Sequence, residues 1–102
     1  MKEYKKLVRD NIPEIIESSG KKPVIHIAGD EEYGQALVGK LEEEVGEFRL
    51  SGKTEELADI LEVIDAICKF KGIDSDSLLH IKQEKSQERG SFSKRIILEK
   101  VV

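Results

Sequence analysis

Nine carboxylates crowd the stretch from Lys40 to Asp65, KLEEEVGEFRLSGKTEELADILEVID. Glu42, Glu43, Glu44 and Glu47 precede a polar break at Ser51-Gly52-Lys53-Thr54. Glu55, Glu56, Asp59, Glu62 and Asp65 follow it. Apolar residues run beside them at helical spacing: Leu37, Leu41, Val45 and Phe48, then Leu57, Ile60, Ile64 and Ile67. Two amphipathic helices with so short a connection should pack antiparallel and bring both acidic sets beside one apolar seam. Carboxylates gathered in this way repel unless a cation sits among them. Oxygen-only ligands suit Mg²⁺ or Mn²⁺ rather than zinc. A helix turns roughly 100° per residue, which puts Glu43, Glu44 and Glu47 on one arc with Lys40. Glu42 points elsewhere. Glu56 borders the second apolar stripe and Asp59 flanks it on the same side, whereas Glu62 lies opposite and Asp65 on the other flank. The pattern selects Glu43, Glu44, Glu47, Glu56 and Asp59 as one cluster. Solvated faces of charge-rich helices have the same spacing, so both readings stand at this level.

A cationic arc follows. Leu78, Lys82, Lys85 and Arg89 fall on one narrow strip of a later helix, with Lys94 and Arg95 beyond it. Acids that hold a metal and cations that hold phosphate oxygens are what a phosphate–metal complex requires. The plainer alternative pairs these cations with Glu84 and Glu88 on a solvated helix. Other patterns fail on inspection. Gly52-Lys53-Thr54 resembles the end of a P-loop, but position 47 is Glu47 and no strand precedes it. Asp74-Ser75-Asp76-Ser77 lacks the glycine and the closing glutamate of a calcium loop. His26 and His80 stand in no Glu-x-x-His arrangement, and no nucleophilic triad stands out.

The 102 residues predict a single domain, 1–102, that is mainly α. Asn11 and Pro13 mark the start of a short helix over Glu14 to Ser19, which Gly20 ends. A second helix is predicted from about Glu31 to Leu50 with Asp30 as its cap, and a third from about Thr54 to Phe70 with Gly72 as its stop. A fourth, capped by Asp74 or Ser75, runs to about Arg89 before Gly90. The expected architecture is an antiparallel four-helix bundle. Val24–Ala28 and Arg95–Val102 read as β-type runs that could pair as a small ribbon. Hydrophobic residues make up 38% and charged residues 37%, with a net charge of −4. That balance disfavours nucleic acid or an anionic membrane as partner. Cys68, the lone cysteine, reads as buried packing. No apolar run is long enough to span a membrane, and the expected compartment is the cytoplasm.

Glu43-Glu44-Val45-Gly46-Glu47 has the form EExxE, and Glu56-Leu57-Ala58-Asp59 the form ExxD. Tyr4 to Ile16, YKKLVRDNIPEII, and Lys85 to Phe92, KSQERGSF, frame them. In this order the four stretches resemble the MazG-like all-α nucleoside triphosphate pyrophosphohydrolases, in particular the small members related to phosphoribosyl-ATP pyrophosphohydrolase. The resemblance implies Mg²⁺-dependent hydrolysis between the α and β phosphates of a noncanonical or surplus nucleotide, giving a monophosphate and pyrophosphate. It implies Glu43, Glu44, Glu47 and Asp59 as metal ligands, with Glu44 and Glu56 in the catalytic machinery. Lys40, Lys85, Arg89 and Arg9 become the candidates for phosphate contacts. Asp10, Phe92 and Tyr33 become further substrate contacts, the two aromatics for the base. The resemblance also implies a homodimer or tetramer, and the short loop between the acidic motifs leaves more of base recognition to the termini or to a second subunit. Two rival readings are phosphoribosyl-ATP pyrophosphohydrolase itself and a non-catalytic helical protein that dimerises or binds a regulatory partner.

Overall fold

The helix Asp30–Ser51 (α2) and the helix Thr54–Lys71 (α3) form the body of the protein in the computed structural model, which describes residues 5–102. Ile12–Ser18 (α1) precedes them and Ser75–Arg89 (α4) follows, so all four predicted helices are present. Tyr4, the first residue of the N-terminal signature, lies outside the described residues. Asp30, Glu31 and Glu32 begin α2 and complement its positive end. Gly29, not Asp30, takes the cap position. Both long helices stop at a glycine in the left-handed region, Gly52 at φ 66° and Gly72 at φ 68°, where a side chain would be strained. Only Gly52 and Lys53 separate the helices, so they fold back on each other. Glu44 meets Glu56 and Asp59 toward the turn, and Tyr33 meets Phe70 at the far end, as an antiparallel pair requires.

The seam of this hairpin is the core. Leu37 is 2% exposed, and Val63 and Cys68 are buried with it. Leu41, Phe48, Ile60, Ile64 and Ile67 are half-buried around them. Two residues of the expected stripes, Val45 and Leu57, are each 45% exposed. They stand near the turn, where buried Glu44 occupies the seam. Gly34 lets the helices approach: a Cβ there would lie 3.2 Å from the Phe70 ring. The Tyr33 and Phe70 rings meet edge to face with centroids 5.1 Å apart.

The rest of the chain is open. The radius of gyration is 17.9 Å, against about 13 Å for a compact domain of this length. Among the described residues, α2 and α3 are the helices that pack extensively on one another. Leu79 and Ile81 on α4 are more than half exposed. The expected ribbon does not form. Val24–Ala28 and Arg95–Val102 have no regular structure and are unpaired, and no strand occurs among the described residues. Val24 is 94% exposed and Ile97 83%, so neither run has an apolar face to hold it against the other. No helix among the described residues is long and apolar enough to cross a membrane.

Candidate metal centre

Positions 40, 43, 44 and 47 lie on one face of α2, and positions 56 and 59 on one face of α3. Packing the two helices places one carboxylate oxygen from each of Glu44, Glu56 and Asp59 within 4.8 Å of one another. Glu44 is 5% exposed, while Glu56 and Asp59 are half-buried. Lys40 Nζ lies 3.3 Å from Glu44 Oε1. Glu44 Oε2 is buried and has no hydrogen-bond partner. A buried carboxylate oxygen without a donor is costly unless something positive meets it. Burial pushes the Glu44 carboxyl above its ordinary range, the Lys40 hydrogen bond pulls it back, and the charge of neighbouring Glu47 pushes it up again.

Cations ring the cluster. Lys40 donates to Glu43 at 3.0 Å, and Lys6 donates to the other oxygen of Glu43 at 3.0 Å. Burial alone would raise the Glu43 carboxyl, but the hydrogen bonds from Lys6 and Lys40 outweigh it and hold the group below its ordinary range. Burial likewise opposes the Lys40 charge, and its bonds to Glu43 and Glu44 prevail and raise its pKa. Arg9 Nη2 donates to Asp59 Oδ1 at 2.7 Å. The segment before α1 therefore reaches both helices, Lys6 to α2 and Arg9 to α3.

The three clustered acids all belong to the group of five that spacing selected. The other two differ. Glu43 is engaged by two lysines, and Glu47 is exposed beside Glu44. Of the phosphate candidates, Lys40 and Arg9 contact the clustered acids. Lys85 and Arg89 are exposed on α4, which does not pack extensively on the hairpin, so one chain does not bring them to the acids. Asp10 is exposed, Phe92 is 95% exposed, and Tyr33 is engaged with Phe70. Lys6 was missed by sequence reasoning. Its signal was its place beside Arg9 in the N-terminal signature, but its partner is 37 residues away.

The donor set fits a hard divalent cation. Oxygens on opposite sides of Mg²⁺ are about 4.2 Å apart and around Ca²⁺ about 5 Å, so the cluster needs at most a small contraction to close on such an ion. An orphaned oxygen on the most buried of the three acids is what an oxygen-coordinating cation would satisfy.

No family model matches the chain, and no solved structure matches it. A protein of Mycolicibacterium smegmatis, described only as uncharacterized, is 58% identical over 43 residues, covering 42% of this chain and 44% of the relative. The match thus spans less than half of the relative's length.

Proposed function

We propose that the protein is a Mg²⁺-dependent nucleoside triphosphate pyrophosphohydrolase of the MazG-like kind, acting on noncanonical or surplus nucleotides in the cytoplasm. The observation that carries this reading is Glu44. A 95% buried carboxylate with an orphaned oxygen, in a cluster of three acids ringed by Lys and Arg, is costly without a cation. Glu44, Glu56 and Asp59 would hold the ion, Mg²⁺ or Mn²⁺, with Glu47 close enough to join them. When bound, such an ion neutralises phosphate charge and polarises the phosphorus.

The chain's own groups supply the rest. Glu56 is half-buried and forms no ion pair with a described residue, so the oxygen it does not give to the ion is available to orient the attacking water and take its proton. The water oxygen bonds to the α-phosphorus, the bond from that phosphorus to the bridging oxygen breaks, and pyrophosphate leaves with the bond's electrons. Lys40 stays between Glu43 and Glu44 and offsets their charge. Arg9 can exchange Asp59 for a phosphate oxygen, a partner its planar fork suits equally well. The open shape and the exposed apolar residues of α4, with Leu78 and Ile81 one turn apart, support a homodimer, in which Lys85 and Arg89 of one chain are free to serve the site of another. The experiment is incubation with a panel of nucleoside triphosphates, phosphoribosyl-ATP included, with and without Mg²⁺. Mg²⁺-dependent monophosphate and pyrophosphate are expected. Release of orthophosphate, or no turnover with any divalent ion, would overturn the reading.

A further inference from the structure

A cleft of about 460 Å³ lies between the N-terminal segment and α2, beside the acidic cluster. Lys5, Lys6 and Leu7 form one wall, and Gln35, Ala36 and Gly39 form the opposite face. Lys40 and Glu43 close the end nearest the three acids. Its size is within the ~300–1,000 Å³ of pockets that hold small ligands. The α2 residues repeat at three and four, so they make one continuous face leading to Glu44. Gln35 is nine residues from Glu44, about 13 Å along the helix. A nucleoside with its phosphate chain covers that reach.

The chemistry of the cleft is not that of the metal cluster. Ala36 and Gly39 leave a floor at backbone level, and a Cβ built on Gly39 meets nothing within 4 Å. A planar ring can lie on such a floor. Gln35 carries both a donor and an acceptor and makes no side-chain hydrogen bond to any described residue. Lys5, Lys6 and Lys40 outnumber Glu32 and Glu43 there, in a chain whose net charge is −4. Glu32 is engaged by His26 at 2.9 Å, and Glu43 by two lysines. Phe92 and Tyr33, expected to read the base, do not line this cleft.

From this geometry we infer that the cleft is the nucleoside subsite: the base lies flat on Ala36 and Gly39, its polar edge is read by Gln35, and its phosphates run past Lys40 to the acids. The inference rests on the nucleotide reading above. Its test is calorimetric binding, in Mg²⁺, of α,β-methylene nucleoside triphosphates with different bases and of inorganic tripolyphosphate. Tripolyphosphate reports the phosphate and metal groups alone. Gly39→Leu fills the cleft, and it should weaken the nucleotides by at least about tenfold while leaving tripolyphosphate within about twofold. Gln35→Ala should weaken the preferred nucleotide and flatten the preference among bases. Nucleotide affinities unchanged in Gly39→Leu would overturn the subsite and leave the nucleotide reading intact. So would a wild-type protein that binds nucleotides no better than tripolyphosphate. Failure of the wild type to bind either ligand would overturn the nucleotide reading and the subsite with it. Should Gly39→Leu lose helicity, Gln35→Ala decides alone, and an unchanged base preference overturns the assignment.

Discussion

Glu44 is where the site's electrostatics can be tested without any ligand. Its carboxyl is raised by burial, so the native state holds this proton more tightly than the unfolded chain does. The stability that results is full below the unfolded pKa and is lost as pH rises through the folded one. Glu44→Gln removes that loss. In chelator at pH 7.5 the variant should melt at a higher temperature than the wild type. The gain should close by about pH 4, near the unfolded pKa. Melting curves at both pH values decide, and an equal gain at both, or a loss at neutral pH, would contradict the account. Glu43 lies one residue away and behaves oppositely, because two lysines hold it ionised. Helical spacing selected both acids but could not separate them. What separates them is Lys6, which arrives from 37 residues upstream and leaves no periodic trace.

At the scale of the helix, two glycines on α2 should respond differently to one substitution. Gly34 faces the Phe70 ring, and its built Cβ already lies 3.2 Å away, while Gly39 faces open space. Gly34→Leu should therefore force the hairpin apart and cost about 1–3 kcal/mol. Gly39→Leu should stabilise the helix by roughly 0.5–1 kcal/mol, since leucine is the better helix former. Thermal melts of both variants check this, and equal effects would show that the seam is misplaced. The long helices were legible because their stops are local: Gly52 and Gly72 follow apolar periodic runs. The seam was legible only in part. Val63, one step round from Ile60 and Ile67, is buried, and Leu57 is not, because a buried glutamate displaces apolar packing near the turn. The β-type runs have strand composition, but composition supplies no partner, and both remain irregular and largely exposed.

The whole molecule is one packed hairpin with exposed arms. A radius of gyration of 17.9 Å and apolar residues uncovered on α4 leave much of the surface that a compact fold of 102 residues would bury. The proposed homodimer should appear in analytical ultracentrifugation, with a Tm that rises with protein concentration. Replacing Leu78 and Ile81, one turn apart on α4 and both exposed, with lysine should lower its association at least about tenfold, the loss of about 1.4 kcal/mol or more. A monomer at every concentration, with a constant Tm, would contradict the dimer and would leave Lys85 and Arg89 without a route to the acids. The pairing of four helices was expected from the sequence as a bundle. Helix lengths and caps are local properties, whereas α1 and α4 bury no residue and so have no packed face for periodicity to mark.

Glu44, Glu56 and Asp59 are proposed to form a divalent-cation centre. Its most direct measurement is the electron paramagnetic resonance signal of free Mn²⁺ titrated with wild type and with Glu44→Gln. The wild type should quench the signal saturably, Mg²⁺ should restore it by competition, and Glu44→Gln should quench it at least about tenfold more weakly while keeping its helicity. Equal quenching by both proteins, or none by the wild type, would contradict the account.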